Sequence, residues 1–382
     1  MRPCAVTNEE KTRIWEAYRA RRPVRVPVTF GVNPRVVLLD PKWNPRGITF
    51  AEYWHDARVA VEVQLEFLRY GVEYLHQYCD WPVGWPESHE FHVDVQNVYD
   101  SAYFGCPVQF RDGQVPDVRP VLAGADRDRV FDLDIDRPMD NPFVQESLQR
   151  YEDLRQAAER TSFRDVALGV RPPLWGFDGP VTIATNLRGV ELYTDLYEDP
   201  EYVSRLFDFI TRGVIIRNRA MARHFGRRAF DGAHGVIADD SVQLISTPMY
   251  RETVMPHHQL YLAQWSEQGP HHIHLCGDAT RHFRTIRDGL NVDSFDTGFP
   301  VDHGALRAEL GPDVEIYGGP DVALLRNGTP DAVYERTRTI LTSGIMEGGR
   351  FVLREGNNLP PCCPDANLSA MYRACLERGR YD

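Results

Sequence analysis

Hydrophobic and polar positions change their spacing along the chain, and from residue 166 onward short apolar runs alternate with longer amphipathic stretches. Apolar or β-branched runs predict strands at 25–31, 167–170, 230–238, 269–276, 292–296, 314–319 and 350–354. Helical spacing of apolar residues predicts helices over 7–20, 50–70, 141–160, 181–197, 200–225, 247–268, 330–344 and 365–378. Repeated strand–helix units with short loops predict an α/β fold, a (β/α)8 TIM barrel with an N-terminal helical extension and a β-hairpin-like insertion. A doubly wound sheet is the alternative, but no G-x-G-x-x-G motif follows a predicted strand, which argues against its dinucleotide-binding form.

An aromatic segment at 78–87 interrupts this pattern with two Trp-Pro steps and a glycine. These residues do not favour regular structure. Such a loop either lines a pocket or packs on the surface, and the sequence supports both interpretations equally. Residues 91–122 are expected to form strands and turns with a hairpin tip at 111–114, and the acidic stretch 123–142 is expected to be an exposed connection.

The predicted strand at 269–276 carries the strongest chemical signal. His272, His274 and Cys276 alternate with two apolar residues and therefore share one face of the strand, which ends at Gly277. Barrel enzymes place their chemistry at such strand ends. Imidazole and thiolate are good zinc ligands, but a zinc site needs at least a third ligand from elsewhere in the chain. A hydrogen-bonded core histidine and a packed cysteine are the structural alternative.

Two acidic residues, Asp239 and Asp240, follow the predicted strand at 230–238 and are the candidate catalytic residues. At that height in a barrel, one of them could complete a metal site or act as a general acid. Capping of the next helix is the structural alternative. Three further histidines are each more typical of structural residues: His234, His271 and His272. Of these, His272 could support His274 from deeper in the barrel.

Charge and residue usage exclude several functional classes. The formal charge of −12 and the lack of a basic tract argue against nucleic acid as a partner. Lys11 and Lys42 are the only lysines, and Lys11 falls in a polar predicted helix, so Schiff-base and pyridoxal-phosphate chemistry are not expected. The seven cysteines are scattered, and no signal peptide or membrane-length apolar run is found, so we expect a reduced, cytoplasmic protein without a membrane partner.

With these residues identified, the chain resembles the uroporphyrinogen decarboxylase superfamily, most closely its zinc-dependent methyltransferase branch, which works with corrinoid proteins or thiols. The similarity rests on short motifs across the chain, at 25–28, 179–180, 186–189, 239–240, 245–250, 274–277, 319–325, 328–330 and 356–361. The H-x-C-G motif at 274–277 is the most specific of them. The resemblance implies a single barrel domain over 1–382, with an insertion at about 78–125.

The resemblance also implies that zinc is held by His274 and Cys276, but it leaves the third ligand open. Methyltransferases of this branch usually place a cysteine one residue after the glycine of the last-strand loop, and Asn357 stands at that position here. The remaining candidates for the third ligand are Cys362, Cys363, Glu355 or an aspartate. Contacts to the substrate are expected from Tyr78, Asp80, Trp81, Trp85, Arg188, Asp296 and Asn357.

The expected function is therefore that of a zinc-dependent methyltransferase or demethylase. The methyl group would come from an O- or N-methyl small molecule or a methyl-corrinoid protein, and the acceptor would be a corrinoid or a thiol. The sequence has no corrinoid-binding signature, so any corrinoid would belong to a partner protein; the chain itself is expected to be a monomer or homodimer. A metal-free decarboxylase of a small or tetrapyrrole-like acid is the alternative, although 31–35 lacks the Arg-rich character of true uroporphyrinogen decarboxylases. A noncatalytic binding protein is the third hypothesis.

Overall fold

The computed structural model describes residues 6–232, 234–265 and 269–381, and strands alternate with helices as predicted. The α-helices are α1 Asn8–Arg19, α2 Arg35–Leu38, α3 Phe50–His55, α4 Ala57–Arg69, α5 Tyr99–Tyr103, α6 Pro142–Glu159, α7 Pro180–Arg188, α8 Glu191–Glu198, α9 Pro200–His224, α10 Thr247–Met249, α11 Met255–Leu262, α12 Phe283–Leu290, α13 His303–Leu310, α14 Val322–Asn327, α15 Pro330–Leu341 and α16 Asp365–Arg378. The strands are β1 Ser88–Phe91, β2 Val108–Gln109, β3 Asp117–Val118, β4 Ala167–Val170, β5 Val236–Ala238, β6 His271–Leu275, β7 Val292–Thr297, β8 Glu315–Gly318 and β9 Phe351–Leu353.

The main sheet contains β5 to β9 in chain order, and every neighbouring pair is parallel. Extended backbone continues both edges. Beyond β9, Val28 forms a parallel bridge to Leu353, and the backbone N–H of Asp80 donates to the Val28 carbonyl at 2.8 Å. Beyond β5, the N–H of Ala238 donates to the Phe177 carbonyl at 3.1 Å. This is a TIM-barrel-like α/β fold, while closure into eight regular strands stays a prediction.

The two faces of the main sheet have opposite character. Ile237, Ile273, Phe295 and Ile316 occupy one face and are at most 1% exposed. On the other face, His274 is paired with Asp296, and Asp296 is paired with Tyr317. One layer deeper, His272 is paired with Ser294, and Ser294 is paired with Glu315. Paired residues of parallel strands point to the same side. The apolar face therefore packs into the core, and the polar face is left for chemistry.

Several predicted helices are shorter than the sequence pattern indicates. The helix predicted over 50–70 is two helices, α3 and α4, because the Asp56 side chain accepts hydrogen bonds from Arg58 and Val59 and begins a new helix. The helix predicted over 181–197 is two helices, α7 and α8, separated at Gly189, whose positive φ of 72° is a conformation that favours glycine.

The remaining differences from prediction lie in the segments around the sheet. The strand predicted at 230–238 is regular only over β5. The helix predicted over 247–268 forms as α10 and α11, which are separated by a π-helical turn, Tyr250–Val254. Its last residues, 266–268, lie outside the described part of the chain. Within 91–122, where strands and turns were expected, α5 also forms. β2 and β3 form the predicted hairpin around 111–114, and β1 pairs in parallel with β4.

One contiguous cluster of buried hydrophobic side chains extends from Val26 to Cys375. It joins the first extended segment to the last helix. The single domain stays a prediction. Across the described residues, no helix combines the length and the apolar character needed to cross a membrane.

Candidate metal centre

The carboxyl ends of β5 and β6 bring together a carboxylate, an imidazole and a thiol. One ligand atom from each of Asp240, His274 and Cys276 lies within 4.8 Å of the others. Asp240 lies two residues after the end of β5, and its Oδ1 accepts a hydrogen bond from the backbone N–H of Cys276 at 2.7 Å. All three residues are half-buried. The structure thus places the predicted His-Cys pair beside one of the two predicted aspartates.

The His274 ring is oriented by Asp296 of the neighbouring strand. Its Nδ1 lies 2.7 Å from Asp296 Oδ2, and no hydrogen bond reaches Nε2 from the described residues. Burial alone would lower the pKa of His274, but the hydrogen bond and charge of Asp296, with the charge of Asp240, leave that pKa raised. A carboxylate on one ring nitrogen fixes the tautomer and leaves the other nitrogen available as a metal ligand.

Arg354 and Glu355, which follow β9, hold Asp296 in place. Arg354 Nη1 lies 2.7 Å from Asp296 Oδ2, and Arg354 Nη2 lies 3.1 Å from Glu355 Oε1. Glu355 Oε1 also accepts from the Gly31 backbone N–H at 2.7 Å. A Cβ at Gly31 would lie 2.0 Å from Arg354 Nη2, so this approach requires glycine. Burial raises the pKa of Glu355 to about 7 despite its arginine neighbour.

The donor set fits a divalent, borderline-soft cation such as zinc. Nitrogen, sulfur and carboxylate oxygen are its usual protein ligands, and catalytic zinc sites use three of them. Burial and the adjacent Asp240 carboxylate raise the pKa of Cys276, because a thiolate beside a carboxylate is unfavourable. A cation between the two groups reverses that repulsion. The site is therefore chemically suited to a metal.

Asp239, the other predicted catalytic aspartate, is fully buried and does not belong to the group formed by the three metal-ligand candidates. Its carboxylate accepts hydrogen bonds from the Val181 and Thr182 backbone N–H groups at 3.2 and 2.8 Å, from the Thr182 hydroxyl at 2.8 Å and from His258 at 3.0 Å. A Cβ at Gly179 would lie 2.3 Å from Asp239 Cγ, and Gly179 has a φ of 76°. This geometry favours a structural role for Asp239 at the start of α7, and a catalytic role stays a prediction.

Asp80 and Arg188, both predicted to contact substrate, are buried in ion pairs. Asp80 binds Arg25 at 2.6 Å and also accepts from the Val28 backbone and, at 2.7 Å, from the Tyr372 hydroxyl. Arg188 binds Asp195 at 2.7 Å, and it also pairs with Glu191. These contacts satisfy both side chains within the fold and do not favour the predicted substrate contacts.

The predicted aromatic contacts are dispersed rather than gathered at one wall. Tyr78 is buried against Tyr74, Trp81 donates to the Thr29 hydroxyl at 2.7 Å, and Trp85 packs on Phe163 and beneath the Arg164 guanidinium. Asn357 lies nearer to the metal-ligand candidates, because its backbone carbonyl accepts from Arg354, which itself binds Asp296. Their contacts to substrate stay predictions.

The two cysteines proposed as third ligand do not lie with His274 and Cys276. Cys362 is exposed, has a φ of 59°, and its thiol approaches the Leu39 carbonyl at 3.5 Å. Cys363 points instead to the Leu325 carbonyl at 3.3 Å. Within the described residues, Asp240 is the group that completes the trio, which corresponds to the aspartate alternative.

One carboxyl group near the site, that of Asp178, was not anticipated. The hydroxyl of Tyr99 donates to Asp178 Oδ1 at 2.6 Å, and the Asp178 backbone N–H donates to Asp100 at 2.9 Å. Asp100 forms a buried ion pair with Arg217 at 2.6 Å. The signal in the sequence is an aspartate directly before Gly179-Pro180, at the end of an extended run.

Comparison with known proteins shows which proteins this chain is similar to. Residues 98–378 match the family model described as uroporphyrinogen decarboxylase (URO-D). The methylated-thiol–coenzyme M methyltransferase of Methanosarcina mazei is 33% identical over 223 residues, covering 56% of this chain and 56% of that protein. The methylcobamide:CoM methyltransferase MtbA of the same organism is 26% identical over 216 residues, covering 55% of this chain and 59% of that protein. The matches thus span little more than half the length of these curated relatives.

A solved structure agrees with the fold over almost the whole chain. A methyltransferase from Methanosarcina mazei superimposes with a TM-score of 0.60 at 18% identity, covering 98% of this chain and 99% of that chain. At this level of identity the likeness concerns the fold. It extends the similarity beyond the segments matched in sequence.

Proposed function

The chain belongs to the uroporphyrinogen decarboxylase (URO-D) family, and from that premise we propose that it is a metal-dependent methyltransferase with a thiol acceptor. The observation that carries the proposal is the trio Asp240, His274 and Cys276, within 4.8 Å and backed by Asp296. The named activities of the two curated relatives, methyl transfer involving coenzyme M, support the same reaction class.

Zinc is the metal that these residues suit best. His274 Nε2, the Cys276 thiolate and an Asp240 oxygen would hold it, and a catalytic zinc keeps one further position for substrate. When bound there, zinc lowers the pKa of a thiol so that its sulfur is a nucleophile at neutral pH. Asp296 keeps His274 in the ligating tautomer, and Arg354 keeps Asp296 in place.

The methyl donor is proposed from the same comparisons. A methylated thiol or the methyl-corrinoid of a partner protein fits the names of the relatives, and O- or N-methyl small molecules remain part of the proposal. The decarboxylase alternative gains no specific support, because the guanidinium of Arg188 is already paired with Asp195 and Glu191.

The experiment is a methyl-transfer assay on the zinc-loaded protein. Methylcobalamin or a methylated thiol serves as donor and coenzyme M as acceptor, with the methyl thioether detected by mass spectrometry. Transfer that is lost in Cys276→Ser and kept in Cys363→Ser supports the proposal. No transfer from corrinoid, thiol, O-methyl or N-methyl donors to any thiol would contradict it.

A further inference from the structure

Asp178 lies in the same layer of the polar sheet face as the candidate metal centre. The hydrogen bond from Ala238 N–H to the Phe177 carbonyl, 3.1 Å, places Asp178 opposite Ala238 in a parallel pairing. Ala238 is paired with His274, and His274 with Asp296. Residues paired in this way point to one side of the sheet. In the order of these pairings, Ala238 lies between Asp178 and His274 in this layer.

One oxygen of the Asp178 carboxyl is held and the other is free. Oδ1 accepts from the Tyr99 hydroxyl at 2.6 Å, whereas no hydrogen bond from the described residues reaches Oδ2. The backbone of Asp178 is fixed by Asp100, which is itself paired with Arg217. The side chain is half-buried and so is not sealed within the core. This is the geometry of an oriented carboxyl with one oxygen available to a ligand.

The charges around Asp178 determine its protonation. Burial and the charge of Asp100 raise the pKa of Asp178 to about 8, while the hydrogen bond from Tyr99 opposes that shift. The titratable or charged groups that act on it are Tyr99 and Asp100 of α5, Arg217 of α9, Asp239 and Asp240 after β5, and Tyr261 of α11. A divalent cation beside Asp240 favours the carboxylate form, and neutralising that cation with a thiolate favours the protonated form again.

We propose that Asp178, oriented by Tyr99, accepts the proton of the thiol substrate. This inference rests on the proposed methyl transfer to a thiol. The S–H bond breaks and its proton forms an O–H bond at Asp178 Oδ2, while the electron pair stays on sulfur. That pair then forms the S–CH3 bond, and the bond between methyl and donor breaks with its electrons on the donor. Asp178 afterwards releases the proton to solvent.

Proton counting by calorimetry tests this step without relying on turnover. Coenzyme M is titrated into the zinc-loaded protein at pH 7 in buffers of different ionisation enthalpy, which yields the protons released to buffer. We expect about one proton per thiol from Asp178→Asn, because no carboxyl retains it, and clearly less from the wild type. Asp293→Asn, a change at a half-buried β7 aspartate, is the matched control and should behave as wild type. Equal counts in Asp178→Asn and wild type would overturn the proposal.

A second readout is the rate of methyl transfer and its pH profile. Asp178→Asn should slow transfer by about 10²–10⁴-fold with the metal content of wild type, since it removes one proton acceptor; a loss below about tenfold contradicts the role. Tyr99→Phe keeps the carboxyl but removes a hydrogen bond to its charged form, so the lower limb of the profile should move to higher pH. Tyr193→Phe, at a hydroxyl paired with Thr185 in α7, should not move it.

The two proposals fail separately. A wild type that transfers no methyl group removes the proposed function, while the proton count on thiol binding still tests Asp178. A wild type that is active, with an unshifted profile in Tyr99→Phe and an equal proton count in Asp178→Asn, removes the proton-acceptor role alone.

Discussion

Adjacent aspartates 239 and 240 should respond to the same substitution in opposite ways, and this contrast tests how the site is built. The Asp239 carboxylate accepts four hydrogen bonds at the start of α7, with no exposure to solvent. In Asp239→Asn the amide oxygen can keep two of them, but the NH2 group then faces two donors. Two lost hydrogen bonds to a carboxylate, at about 1.5–3 kcal/mol each, give a loss of about 3–6 kcal/mol in unfolding free energy.

The assay is urea unfolding of the wild type and both variants in the presence of a chelator, followed by tryptophan fluorescence, so that bound zinc adds nothing to the unfolding free energy. Zinc content is measured on separate samples supplied with zinc. Asp240→Asn changes a half-buried side chain that can still accept from Cys276 N–H, so we expect a loss below about 1 kcal/mol, together with loss of zinc. Thr182→Val, which removes one of the four hydrogen bonds, should lie between the two, at about 1–2 kcal/mol. A stable Asp239→Asn protein that has lost its zinc would refute this assignment of roles.

Three further predictions follow from the same contacts. Asp296→Asn should weaken zinc binding about 10–100-fold, measured by competition with a chelator, because it removes the carboxylate that orients His274; Asp293→Asn should not. Burial holds the pKa of Glu355 at about 7 against an ordinary 4.5, so the folded state binds the extra proton and stability should fall as pH rises between these values. Urea midpoints of Glu355→Gln should lack this component, and an unchanged pH dependence would contradict it. Asp80→Asn should lower the unfolding free energy by about 3–5 kcal/mol, because it breaks a buried ion pair, and leave the KM for methyl donor unchanged; a raised KM in folded protein would instead support a substrate contact.

The sequence predicts the part of the site that depends on one strand. The alternation around His274 and Cys276 predicts their common face from strand geometry alone. The structure forms this strand over His271–Leu275, with burial that alternates along it, and places Cys276 directly after its end. The parallel sheet is predictable for the same reason, because short apolar runs and amphipathic helices alternate along the chain.

The remaining ligands depend on tertiary contacts that local pattern does not contain. Asp239 and Asp240 are adjacent aspartates that the sequence pattern does not distinguish. The position of α7 determines that Asp239 is the one whose carboxylate accepts hydrogen bonds from backbone N–H groups. Cys362 and Cys363 follow the last strand closely, but the loop turns their thiols toward the carbonyls of Leu39 and Leu325. Sequence proximity to a strand end was therefore a poor guide to the third ligand.

Asp178 illustrates a different difficulty. It has no histidine or cysteine at strand spacing beside it, and the extended run that contains it is attached to β5 through Phe177. Its role depends on its register with Ala238 and on the hydroxyl of Tyr99, which comes from a helix 79 positions earlier in the chain.

The helix break at Asp56 was also missed from the sequence, because a side-chain cap competes there with continued apolar periodicity.

The metal content of protein purified without a metal-binding tag and then supplied with zinc decides whether Asp240, His274 and Cys276 form a metal centre. We expect about one zinc per chain in the wild type, Cys362→Ser and Cys363→Ser, and none in His274→Ala, Cys276→Ala or Asp240→Ala. Loss of zinc in Cys363→Ser or Cys362→Ser with retention in Asp240→Ala would contradict the assigned third ligand. A wild type that binds no zinc would contradict the metal centre itself.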